Sequence, residues 1–541
     1  MRVQWPPMKL LALCAAVAAC TVTVVPSAQA YEERPMRLPA TGTGASAAST
    51  EPSTWLIAAA PGTAQVDAIA RRFGATKLRV GDVYKVARPR ARAFAAALRA
   101  AGGLRYAEPN AALERTSALD TAPGGYARGF VVAPGLAPPA PGTVAIAVID
   151  DLVDVSLPEL AATTRQLNPS PVLGPHGTMV ASAAAAAFDG AGVVGIFPSA
   201  PVLSIGLPLQ ITCGDAANAI VAAARAGAKI INLSFGSNSD CASLFASVQI
   251  AYASGSLVVA AAGNEFAVGN PVIYPAAYPH VLSVAALDKN LAPSGFSSEN
   301  TAVDVSAPGV SIPLAVPLAF DTADGVADGV TTASGTSFAA PIVSGAAAWL
   351  ATSRPDLSNG QLADVLRRTA LDVATPGYDP GSGFGLIQMA GALALPAPAP
   401  DVLEPNDGIS FIDGSVFAKP DPYIWTGGGK RSLSGTVDRV EDPVDVYRIR
   451  LPKRSKARIR LVASFGNPDL FIFRSSAKSV SENASIVARS RRGTGKTESV
   501  TITNRGRRAR RFYVVIPVGT DAAGALNASY TLQLQRVRFR R

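Results

Sequence analysis

Histidine is nearly absent from this chain: its 541 residues include two, His176 and His280. Cysteine is almost as scarce, at four, and two of these, Cys14 and Cys20, fall within residues 1–30. With no Cys/His spacing of the kind zinc requires, a zinc site is not expected. Beyond the N-terminus no apolar run reads as a membrane span, and no nucleic-acid-binding motif is recognisable. What remains is a set of small-residue segments placed at the ends of apolar runs, together with an uneven spread of charge.

Residues 1–30 read as a secretory signal, with Arg2 and Lys9 giving the charge, Leu10 to Val25 the apolar core, and Ala28-Gln29-Ala30 the small-residue cleavage pattern. The run is too short and wrongly flanked for a permanent span, so a secreted, extracellular protein with no transmembrane segment after signal removal is expected. Val17-Ala18-Ala19-Cys20 leaves a second address open, a periplasmic or lipid-anchored protein attached through Cys20. After the signal only Cys213 and Cys241 remain, and two cysteines in an exported chain point to one bridge.

The segment Ala333-Ser334-Gly335-Thr336-Ser337-Phe338-Ala339-Ala340-Pro341 places a serine where a strand-like run ends and an Ala-rich helix begins. At a helix start the unpaired amides and the positive end of the dipole favour a developing oxyanion. Pro341 is expected in the first turn, where its missing donor has no duty. A serine nucleophile needs a base and the base needs an orienting acceptor. His176, in Gly174-Pro175-His176-Gly177-Thr178-Met179, precedes another Ala-rich helix, whereas His280 reads as a surface loop residue. Asp150 ends the apolar run Val144 to Ile149, which reads as a parallel strand buried on both faces, and sites in such sheets gather at the strands' carboxyl ends. Asp151 and Asp154 compete for the orienting role. Asn264 follows a second such run, Leu257 to Gly263.

The order Asp150, His176, Ser337 is the subtilisin order. On AVIDDLVD, PHGTMVA, VVAAAGN ending at Asn264, and SGTSFAAPIVSGAAA, the chain resembles the subtilisin-like serine peptidases, or subtilases, from about Thr143 to Leu393. The resemblance implies an α/β fold with a parallel sheet covered by helices on both faces, and peptide-bond hydrolysis through an acyl-enzyme. Asp150 would orient the imidazole, His176 would serve as general base and then acid, Ser337 would attack, and Asn264 would donate its amide to the oxyanion. Ser234, Phe235, Gly236 and Ile273 would contact substrate; Ile273 stands where subtilases often carry a small residue, implying a shallower first specificity pocket. No cofactor is required. Structural calcium is the one candidate ion, because Glu159 matches a position where subtilases commonly place a liganding aspartate and Asp189 falls in a loop that often supplies oxygens. The chain departs from the pattern after Asp150, where Asp151 and Leu152 replace the usual hydroxyl residue and glycine. Cys213 precedes the helical run Asp215 to Ala226 and Cys241 follows the strand-like run Lys229 to Phe235, so both are expected at the same sheet edge, where these loops wall the substrate cleft of subtilases. A Cys213–Cys241 bridge is therefore expected.

Six segments follow: signal 1–30, propeptide 51–116, linker 117–141, catalytic domain 142–395, Pro-rich linker 396–403, and a β-sandwich over 404–541. The second, with helical runs Val66 to Phe73 and Ala91 to Ala101 between strand-like runs, resembles the inhibitor-type propeptide of subtilases, which occupies the cleft and inhibits. The last shows period-two alternation and no long helix. Through Glu404-Pro405-Asn406-Asp407, Ser434-Gly435-Thr436-Val437-Asp438 and Asp445-Val446-Tyr447 it resembles the bacterial pre-peptidase C-terminal domain.

Residues 401–541 hold 26 Lys and Arg against 13 Asp and Glu, a net +13, although the whole chain carries only +10. Clusters at Lys453 to Arg460, Arg505 to Arg511 and Arg536 to Arg541 would suit an anionic surface. The expected protein is thus a secreted, autoprocessed serine endopeptidase acting on proteins or peptides; the alternatives are a catalytically silent binding protein of the same fold and a surface adhesin.

Overall fold

The apolar run ending at Ile149 enters strand β1 (Ile146–Asp150), every residue of which is buried. It lies inside a seven-stranded sheet whose other members are β2 (Thr164–Gln166), β3 (Val202–Gly206), β4 (Ile230–Leu233), β5 (Leu257–Ala261), β6 (Val281–Leu287) and β7 (Val305–Pro308). The order across the sheet is β7-β6-β5-β4-β1-β3-β2, and every pairing is parallel. These features come from a computed structural model that describes residues 53–538, except 61–62, 64, 116–117, 120–126, 189–191, 323–324, 399–400, 402, 418, 439–441 and 520–526. Residues 1–30, read above as a signal, and with them Cys20, lie outside the described residues.

A strand buried on both sides needs two covering layers, and alternate residues of β1 divide between them. Ile146 and Val148 join helices α1 (His176–Ala185) and α4 (Thr336–Ser353) in one core. Ala147 and Ile149 join α2 (Cys213–Arg225) and α3 (Ala242–Ala253) in the other. The many alanines, glycines and serines of α1 and α4 help here, since small side chains bring helix and sheet close together. The strand order reverses between β1 and β4, so Asp150 and Ser234 end up flanking the crevice at the switch point.

An N-terminal α+β unit precedes this domain. Its antiparallel sheet runs in the order 76–77, 83–87, 54–59, 104–109, and helices Val66–Arg72 and Arg88–Ala100 cover one face. The second helix starts three residues earlier than expected because Pro89 stands at its beginning, where proline is pre-organised. On the other face Leu56, Ala58, Leu78, Val80 and Val83 merge into the core shared with α2 and α3. Glu108 accepts the amides of Ala242, at 2.6 Å, and Ser243, at 3.0 Å, at the start of α3. Asn110 accepts the Gly214 amide at 2.8 Å in the first turn of α2. Orphan amides and helix dipoles make both positions natural seats for an acceptor.

The C-terminal unit is a β-sandwich of two antiparallel four-stranded sheets, one ordered 430–438, 527–537, 455–465, 498–504 and the other 444–451, 510–517, 470–474, 486–490. It is docked on the domain of the seven-stranded sheet. Ile409, Phe411, Val444, Val446 and Tyr513 share a buried core with α2 and α3, and the rings of Phe245 and Phe411 meet edge-on at 5.7 Å.

Candidate active site

Asp150 closes β1 with no solvent exposure, and its two oxygens lie 2.8 and 2.9 Å from His176 Nδ1. Two acceptor oxygens on one ring nitrogen place the proton on Nδ1, so Nε2 carries the lone pair. That Nε2 is buried and has no hydrogen-bond partner. His176 is held at the start of α1 by its backbone as well, its amide donating to Asp151 Oδ2 at 3.3 Å. Gly177 is indispensable here: a Cβ on it would come within 1.9 Å of the Asp151 carbonyl oxygen. Asp150 therefore takes the orienting place for which Asp151 and Asp154 competed, and Asp151 instead anchors the helix start.

Ser337 is the second residue of α4, and the ring of its neighbour Phe338 lies 5.6 Å from the imidazole. The Ser337 hydroxyl donates to the Ser234 carbonyl at 3.1 Å. Catalytic hydrogen bonds often tighten only with substrate bound, so this rotamer is compatible with transfer to His176. Pro341 falls in the second turn, not the first as expected, because the helix begins at Thr336. Its missing amide would have served the Ser337 carbonyl. The Ser234 hydroxyl donates to that carbonyl instead, at 2.8 Å, and itself accepts from the Asn232 amide at 2.9 Å.

Asn264 follows β5 with its Oδ1 accepting from both the backbone amide, at 3.0 Å, and the hydroxyl, at 2.9 Å, of Thr336. This network fixes the amide's orientation and leaves its NH2 end as the group directed elsewhere. The anchor at Thr336 could not be read from sequence, since it joins positions 72 residues apart.

Two short strands, Ala112–Arg115 and Ala118–Leu119, run beside these residues. Ala112 and Leu113 pair with Thr212 and Ile211, Glu114 and Arg115 pair with Gly236 and Phe235, and Ala118 and Leu119 pair with Ser334 and Ala333. Residues 235–236 and 333–334 are contiguous with Ser234 and Gly335, so these pairings bracket Ser337. Ile273, 3% exposed, closes the space beside residues 235–236. A Cβ on Gly236 would sit 2.4 Å from Ile273 Cγ2, and one on Gly263 would sit 2.6 Å from Ile273 Cγ1. Gly263 is in addition at φ +112°, a conformation that favours glycine.

Cys213 and Cys241 form a disulfide with Cα atoms 6.4 Å apart. Cys213 is the first residue of α2, rather than preceding the helix, because Thr212 and Asp215 form a capping box. Glu159 carries a buried Oε2 with no hydrogen-bond partner, an oxygen that a hard cation would satisfy. Asp189, its expected companion, lies outside the described residues. His280 is not on the surface. It is 7% exposed, stacked on Tyr252 at 3.9 Å and bonded to Asp407 at 2.8 Å, because the C-terminal unit covers the loop that sequence had left open.

Residues 142–385 match the subtilase family. Subtilisin DY of Bacillus licheniformis is 37% identical over 223 residues, which make up 40% of this chain and 77% of that protein. Subtilisin of Bacillus pumilus is 34% identical over 260 residues, 46% of this chain and 90% of that protein. The chain belongs to the subtilase family of serine endopeptidases. The crystal structure of fervidolysin from Fervidobacterium pennivorans superposes with a TM-score of 0.57 over 89% of this chain and 92% of that one, at 19% identity, a likeness of fold.

Proposed function

We propose that this chain is a secreted endopeptidase made as a zymogen that cleaves itself, with Ser337 as nucleophile. The observation that carries the reading is His176, clamped through Nδ1 by both oxygens of Asp150 while its buried Nε2 stays without a partner. In the reaction, Nε2 takes the proton of the Ser337 hydroxyl as Oγ bonds to the scissile carbonyl carbon, and Asp150 stabilises the imidazolium. The carbonyl electrons move to oxygen, where the Asn264 NH2 and the amides at the start of α4 receive them. His176 then returns the proton to the leaving amine, and water releases the acyl group by the same steps in reverse. A non-catalytic binding protein or adhesin would have no use for an oriented, unpartnered imidazole. Fluorophosphonate should label the wild-type protein and fail to label Ser337→Ala; equal labelling of both would refute the role of Ser337.

The N-terminal unit acts as a propeptide and inhibitor. Its docking through Glu108 and Asn110 leads the chain into the paired segments 112–115 and 118–119, next to Ser234 and Gly335, and self-cleavage falls between Arg115 and Ala118. The domain limits 51–116, 142–395 and 404–541 follow from that reading. Because Ile273 fills the space between Gly236 and Gly263, the side chain accepted before the scissile bond is small. Arg458 and Arg460 face outward from one sheet of the sandwich, and with Lys456 they offer an anionic surface a basic docking face. Retention on anionic vesicles that ignores added salt would oppose that part of the reading.

A further inference from the structure

We propose that the junction between the peptidase domain and the C-terminal sandwich is a binding site for a calcium-class divalent cation, held by Asp401, Glu404 and Asp442, and that the ion locks the two together. One oxygen from each of these three residues lies within 4.8 Å of the others. Asp401 and Glu404 belong to the chain leaving the peptidase domain, and Asp442 precedes the sandwich strand 444–451. The ion would therefore join connector to sandwich.

Acidic clusters alone prove little, but here two of the three carboxylates, those of Asp401 and Asp442, each hold a buried oxygen without a hydrogen-bond partner. Asp442 is 9% exposed and its Oδ1 has no hydrogen-bond partner; the Oδ1 of Asp401 is likewise buried and unpartnered. A buried carboxylate oxygen that no protein donor reaches carries a desolvation penalty, and like charges beside it add to that. The neighbouring protein groups relieve the charge only in part, the Asn406 side-chain amide donating to Glu404 Oε1. Asp401 Oδ2 accepts the Thr436 amide at 2.8 Å, and Glu404 Oε2 accepts the Asn406 amide at 3.0 Å, both neutral donors. His280, the nearby cation, is shared between Asp407 at 2.8 Å and Glu404 at 3.4 Å, one positive charge among several carboxylates. A dication among the three would reverse both penalties. The donors are all oxygen, which suits calcium and gives zinc little hold.

His280 gives the site its reach. Rooted beside β6 and stacked on Tyr252 of α3, it ties the same connector to the peptidase domain through Glu404 and Asp407. Glu404 is thus shared between a contact to the peptidase domain and the proposed ion.

The test uses full-length Ser337→Ala, which cannot digest itself, stripped with chelator and titrated with calcium chloride by calorimetry. Asp442→Asn and Glu404→Gln should each bind one ion fewer per chain, whereas Glu159→Gln retains the ion at the junction. Calcium should raise the unfolding temperature of the parent more than that of Asp442→Asn, with circular dichroism verifying that both are folded. Unchanged stoichiometry in both junction variants would overturn the proposal. A lanthanide soak of crystals with unaltered side chains gives an independent answer: anomalous density among Asp401, Glu404 and Asp442 supports it, and its absence there rejects it.

Discussion

Pro341 stands four residues after Ser337 in α4, and the amide it lacks leaves the Ser337 carbonyl to the hydroxyl of Ser234, 2.8 Å away. The backbone of Ser337 is thereby pinned to the end of β4 rather than to its helix. Asn232 donates to that same hydroxyl and accepts from Ser344 at 2.9 Å, so the link is buried and fully matched.

Ser234→Ala should accordingly cost about 1–3 kcal/mol of stability, because it strands the Ser337 carbonyl and the Asn232 amide without partners. Turnover of a small peptide should fall more than its binding does, since the backbone carrying Ser337 loses its tether. Urea unfolding of the Ser337→Ala and Ser337→Ala/Ser234→Ala proteins measures the first effect, and kcat and KM of the active variants measure the second. Unchanged values in both experiments would mean that the hydrogen bond contributes nothing.

Wild-type protein purified from a protease-free host should have a new N-terminus within residues 116–118, whereas Ser337→Ala should keep residues 53–115 attached. The register of Arg115 against Phe235 and of Ala118 against Ser334 sets that interval. Terminal sequencing by mass spectrometry decides, and a mature N-terminus elsewhere, or processing in the mutant, would show that another route operates.

Ile273→Gly should open the first specificity pocket. Peptides with phenylalanine before the scissile bond should gain roughly 10- to 200-fold in kcat/KM, the range that apolar pocket volume commands, while those with alanine change little. If the variant kept the parent's preference, Ile273 would not be what limits the pocket.

Asp304 supplies a pH signature away from the site. Burial pushes its carboxyl up to about 6 against the pull of the Arg367 guanidinium 3.1 Å away. Its unfolded value is 3.8, so between these limits the native state holds the proton more tightly, and stability declines as pH rises through the interval. Asp304→Asn, neutral throughout, should escape that decline. Its unfolding temperature should improve relative to the parent by about 2–4 °C between pH 4 and pH 6.5. Parallel melting curves across that range would contradict the shift.

The positions of Asp150, His176, Asn264 and Ser337 were legible because each ends or begins an apolar run, and a buried parallel strand exposes useful side chains only at its carboxyl end. The Cys213–Cys241 bridge was legible for a related reason, one helix and one strand returning the chain to the same edge. Local pattern also marked the N-terminal unit and the alternating strands of the sandwich. Tertiary structure alone decided what depends on distant pairs: the Thr336 anchor that turns the Asn264 amide, the Ile273 plug between two glycines, and the grip of Glu108 on α3. It also moved His280 from surface to interior, because its burial comes from Asp407 and the sandwich behind it, 127 residues along the chain. Periodicity reports which face of an element is apolar. Which other face will cover it depends on packing between units, and no local pattern carries that information.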